Sequence, residues 1–125
     1  MRIDESFVGL SKNENGIYIF DGDLICDDDI EIVLPNLLLV SGSILSKKSI
    51  NAGCGIKAGR GIVAGERIEA GRGIVAGWGI EAGRGIEAKH SISAGVFATF
   101  ANKIICASIK GVVCTGEVVI RSKED

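Results

Sequence analysis

From Ile44 to Ala94 the chain places an isoleucine at every sixth position: 44, 50, 56, 62, 68, 74, 80, 86 and 92. Two residues after each comes a small side chain, Ser46 first and then alanine at 52, 58, 64, 70, 76, 82, 88 and 94. Residues two apart in an extended chain point to one side, so each Ile-x-Ala reads as a short strand with two inward side chains and one outward. Between strands stand glycines around a variable residue, as in Ala-Gly-Arg-Gly-Ile at 58–62. They predict corners, with positive φ available where the chain turns.

The pairing continues on both sides of this clean block. Upstream it reads Ile17/Ile19, Leu24/Cys26, Ile30/Ile32 and Leu37/Leu39; downstream Ala98/Phe100, Ile104/Cys106, Val112/Cys114 and Val118/Ile120. That makes seventeen units between residues 17 and 120. A short fixed period of this kind predicts a solenoid, because each unit can bury its inward face only by stacking on its neighbours. Three units close a triangular turn of about 18 residues, so the chain suffices for between five and six turns with strands three units apart paired in parallel. The expected fold is therefore all-β, a triangular parallel β-helix over residues 17–120, with an N-terminal cap over 1–16 and a charged tail over 121–125.

The run "GIxAG" within residues 50–95 resembles the glycine-punctuated strands of bactofilins, the bacterial cytoskeletal solenoids that polymerise. It is similar, too, to small glycine-rich repeat proteins of phages and prophages. The hexapeptide motif of left-handed β-helices pairs its large and small inward residues in the opposite order, so the hand of the coil stays undecided. These resemblances imply three tasks: an inhibitor of a host defence system of the anti-CRISPR type, a self-assembling polymer, and, more distantly, a hexapeptide-repeat acyltransferase.

Stacking at this period turns sequence into columns. One column of outward strand positions reads Ile25, Leu45, Val63, Glu81, Thr99, and its first three members form an aliphatic rank. Such strips commonly mark contact surfaces, although Phe7, Val8 and Leu10 of the cap offer a way to cover it from within. A second outward column reads Leu38, Lys57, Val75, Ser93, and a third, acidic one reads Glu31, Asn51, Glu69, Glu87. One corner column brings together Arg60, Trp78 and Val96 with Phe97 beside it. Trp78 reads either as a contact anchor or as a ring lying across its own corner glycines. Another corner column alternates in sign, Asp28, Lys48, Glu66, Arg84. The acidic run Asp27, Asp28, Asp29 looks like a metal or nucleic-acid-mimic cluster, but beside Lys47 and Lys48 it reads better as a neutralised ladder. The candidate binding residues are thus Ile25, Leu45, Val63, Trp78, Val96, Phe97 and Asp27 to Asp29.

Composition narrows the chemistry. With 125 residues, 18 glycines and only six aromatics, the core must be built from small aliphatics. Net charge is −2, with two basic and nine acidic residues (−7) over 1–42 and twelve basic and seven acidic (+5) over 43–125. The longest apolar stretch is broken at Pro35-Asn36 and is too short to cross a bilayer. Four cysteines, at 26, 54, 106 and 114, lack CxxC spacing and read as reduced thiols. The single histidine, His90, shares a corner column with Cys54 and Arg72, and no carboxylate in that column would orient it as a base. We expect no catalytic residue, no metal and no cofactor. The expected partner is a protein, either a second copy in a homo-oligomer or another chain, in the bacterial or host cytoplasm, without membrane or direct nucleic-acid contact.

Overall fold

The computed structural model describes residues 1–89, 91–106 and 108–120, and the side-chain surroundings of residues 1–89, 92 and 93. It is an all-β, parallel solenoid. The chain begins with β1 (Arg2–Ile3) and β2 (Leu10–Lys12). A first turn follows, β3 (Tyr18–Phe20), β4 (Leu24–Cys26) and β5 (Ile30–Ile32), then a second, β6 (Leu38–Val40), β7 (Ile44–Ser46) and β8 (Ile50–Ala52). The third turn is β9 (Ile56–Ala58), β10 (Ile62–Ala64) and β11 (Arg67–Ala70); the fourth is β12 (Ile74–Ala76), β13 (Gly79–Ala82) and β14 (Gly85–Ala88).

From β3 to β14 each strand pairs in parallel with the strand one turn away, so Ile62 stands between Ile44 and Ile80, 18 residues apart on either side. Three faces result. The first carries β3, β6, β9 and β12, the second β4, β7, β10 and β13, the third β5, β8, β11 and β14. Two long strands, β15 (Ser91–Cys106) and β16 (Ser108–Ile120), continue the stack. β15 runs along β12, β13 and β14 in succession and β16 runs along β15, where separate short strands were expected from the sequence. Register shifts within the last pair set Val113 opposite Ala98 and Val118 opposite Ile104, where stacking three units apart places Val112 on Ile92 and Val118 on Ala98.

Isoleucine fills all three inner walls. Ile44, Ile50, Ile56, Ile62, Ile68, Ile74 and Ile80 are completely buried, and the alanines two residues later nearly so. Removing each isoleucine from water contributes about 1.5–3 kcal/mol, and the small alanines let three walls meet at a narrow centre. Ser46 takes an alanine position without leaving an unpaired group, since its hydroxyl donates to the Asp28 carbonyl at 2.7 Å and accepts from the Lys48 N–H at 3.0 Å.

The corner glycines serve a different purpose from the one their composition suggests. Positive φ occurs only at Gly9, Gly16 and Gly22 among the described residues. From Gly59 to Gly83 the first glycine after alanine lies directly against the backbone one turn below. A Cβ on Gly65, Gly71, Gly77 or Gly83 would overlap the carbonyl oxygen of Lys47, Gly53, Gly59 or Gly65 respectively. The same residues keep the ladder running through the corner, as when Gly71 N–H donates to Ala52 at 3.0 Å and Gly77 N–H to Ala58 at 3.0 Å.

The first turn corrects the upstream register. Tyr18, Leu38 and Val40 are the buried positions, in place of Ile17, Ile19, Leu37 and Leu39. Counting by sixes gives 18, 24 and 30, then 38, 44 and 50, so two extra residues enter at one corner, around Pro35 and Asn36. The sequence pattern alone predicts them as one extra residue at each of two corners, before Leu37 and before Ile44. A one-residue slip exchanges the faces of a strand, so Leu38 leaves the outward column and Leu39 replaces it beside Lys57.

Candidate binding face

The second face gathers the sequence-selected residues. Ile25 pairs with Leu45, Leu45 with Val63, Val63 with Glu81, and Glu81 with Thr99, as the period requires. At about 4.8 Å per strand, the three aliphatic residues make a strip about 10 Å long. Ile25 is 60% exposed, and Leu45 and Val63 are partly so.

The cap does not cover this strip. Phe7 meets Phe20 with tilted rings whose centroids are 5.8 Å apart, and Phe7 and Leu10 pack against the core. Val8 points to solvent.

The corner leading into this face holds Arg60 and Trp78. Trp78 N–H donates to the Arg60 carbonyl at 2.9 Å, which fixes their stacking. The Arg60 guanidinium lies 5.4 Å from the Trp78 ring centroid, a cation–π contact. Trp78 nonetheless remains 59% exposed. A flat aromatic surface is thus held in one place at the border of the aliphatic strip. The sequence selected Trp78 but not Arg60, although a cation 18 residues before an aromatic was the available signal.

The corner leaving the face carries the alternating column. Lys48 Nζ lies 3.3 Å from Asp28, Lys47 Nζ 3.5 Å from Asp27, and backbone bonds join Glu66 to Lys48 and Arg84 to Glu66. The Asp28 carboxyl titrates below its ordinary value because the Asp29 N–H donates to it and Lys48 stands beside it. Its presence in turn raises the Lys48 ammonium. Asp29 accepts from the Ser49 N–H at 3.0 Å, and Asp23 does the same for Ser43 at 2.7 Å. The acidic run is therefore occupied in joining the first turn to the second. Among the described residues no group of three His, Cys, Asp or Glu side chains could hold a metal ion.

Cys54 is buried at its corner, and its carbonyl accepts from the Arg72 N–H at 3.2 Å. The third face carries Arg2–Glu31 at 3.1 Å and Arg67 shared between Glu69 at 3.3 Å and Glu87 at 3.8 Å. Phe97 pairs through its backbone with Gly79, next to Trp78. The side-chain readings of Val96 and Phe97, and the whole reading of His90, lie outside the described residues. No helix is long and apolar enough to cross a membrane. Comparison of the chain with protein-family models, with curated proteins and with solved structures finds no match.

Proposed function

We propose that this chain is a non-enzymatic, protein-binding β-solenoid that makes its contact through the second face. The observation that carries the reading is the coincidence of exposed Ile25, the Leu45–Val63 continuation of its strip, and exposed Trp78 on one side of a rigid coil. Protein contacts draw most of their energy from a few aromatic and aliphatic anchors in a dry centre with a polar rim. Here the rim is Arg60 on one side and the Asp27–Lys47 and Asp28–Lys48 pairs on the other. Inhibition of a host defence system is the finer form of this proposal, and it rests on the resemblance of the repeat to phage proteins.

Leu45→Glu combined with Val63→Lys tests it. Light scattering should show loss of self-association, with β circular dichroism retained. A photo-crosslinking residue replacing Ile25 in cells should give one adduct of defined mass, either a second copy or another protein, while one replacing Asn51 on the third face should not. A monomeric wild type with no adduct at position 25 would overturn the proposal.

The polymer reading meets an obstacle at the N-terminal end. β2 pairs with β3 antiparallel, Leu10 opposite Phe20 and Lys12 opposite Tyr18, and β1 occupies the edge of β5. A parallel strand of a second copy finds two of the three edges taken.

A further inference from the structure

The two extra residues of the first turn build a groove on the opposite side of the coil from the Trp78 corner's strip. They carry Leu37 outward until its Cδ1 stands 3.0 Å from where a Cβ on Gly55 would be. Asn36 fixes this arrangement by donating from Nδ2 to the Gly16 carbonyl at 3.1 Å and accepting the Leu37 N–H at 2.8 Å. That bond brings Ile17 alongside. The result is a groove of about 300 Å³ with Ile17, Leu37 and Val75 as apolar walls, and with Lys57 and Arg72 at its margin.

What sets this groove apart is that two cations without carboxylate partners line one apolar space. Arg2, Lys47, Lys48 and Arg67 all have carboxylate partners. Among the described residues Lys57 and Arg72 have none, yet both line the same apolar groove. An unpaired ammonium and guanidinium at the mouth of an apolar slot favour an anion with a hydrocarbon tail. At about 30 Å³ per water-sized atom the space takes roughly ten non-hydrogen atoms. That is the size of octanoate and far less than a helix or a phospholipid.

We propose that this groove binds a free aliphatic monocarboxylate, its tail along Ile17, Leu37 and Val75 and its carboxylate between Lys57 and Arg72. The site is separate from the second face, so either proposal can fail alone. The test is an amide NMR titration of the full chain, following Gly55 and Gly73, with octanoate, acetate, octylamine and a short peptide ending in a leucine carboxylate. Octanoate should shift both amides saturably, whereas acetate lacks the tail and octylamine carries the wrong charge. Lys57→Gln with Arg72→Gln should weaken octanoate by about tenfold or more while the β signal is unchanged. Absence of a saturable shift, an equal response to octylamine, or an unaltered affinity in the double variant would overturn the proposal. Tighter binding of the peptide than of octanoate would overturn the free-acid assignment and give the same chemistry to a protein C-terminus.

Discussion

A methyl group added to Gly77 would run into the carbonyl oxygen of Gly59 one turn below, whereas one added to Gly61 would find its nearest neighbour, the Gly79 carbonyl oxygen, at 3.6 Å. The first and the second glycine position of a corner should therefore respond oppositely to alanine. Gly77→Ala should lose about 1–3 kcal/mol through forced backbone movement. Gly61→Ala should be neutral, or stabilise by about 0.4–1 kcal/mol through the stiffer unfolded chain. Denaturant midpoints of the two variants check this. Asp28 makes a prediction in pH. Its carboxyl is held below the ordinary 3.8 by the Asp29 N–H and Lys48, so it stabilises the fold above its unfolded pKa and ceases to as pH falls through the folded one. The gap in melting temperature between wild type and Asp28→Asn, small because both partners are exposed, should be present near neutral pH and close below about 3.8. A gap that persists in stronger acid would assign it to shape instead of charge.

Among the strands, the inward isoleucines and the residues between them should differ sharply. Ile68→Ala should cost about 2–5 kcal/mol by leaving a cavity in a fully buried wall, and Ile68→Asp should prevent folding, since no partner for a charge lies inside. Circular dichroism and urea denaturation read both. This alternation was legible from β7 to β14 because nothing interrupts the period of six there. It failed for β3 and β6, where apolar residues run consecutively through Ile17-Tyr18-Ile19-Phe20 and Leu37-Leu38-Leu39-Val40. Pattern alone cannot choose a face in such a run. Only the stacking of Leu38 on Ile56, and the crowding of two extra residues into the Pro35 corner, decides it. The aliphatic strip was legible because Ile25, Leu45 and Val63 inherit their places from strands whose register was right. The groove was not, since it exists only after Ile17 and Leu37 are turned outward.

For the molecule as a whole, the ends differ from the middle. Residues 1–16 supply β1, the antiparallel β2, fully buried Ile3, and the Phe7 contact with Phe20. Deleting them would expose the edges of β3 and β5, and strand edges without partners recruit other chains. The shortened protein should therefore form larger, concentration-dependent assemblies by light scattering than the full chain does. A deletion that stays as dispersed as the full chain would show that the open edges are tolerated. Between the ends, every middle turn meets only the turn above and the turn below, at a separation of 18 residues. Stability in such a stack is close to a sum of turns and junctions between them. Length is then a free variable of the design. A tandem copy of residues 56–73, inserted after residue 73, should fold into one more turn, lengthen the particle by about 4.8 Å in small-angle scattering, and leave both ends as they were. A coil of this kind can change its reach by a single in-frame duplication, because the new junction again stacks Ile on Ile and Ala on Ala inside.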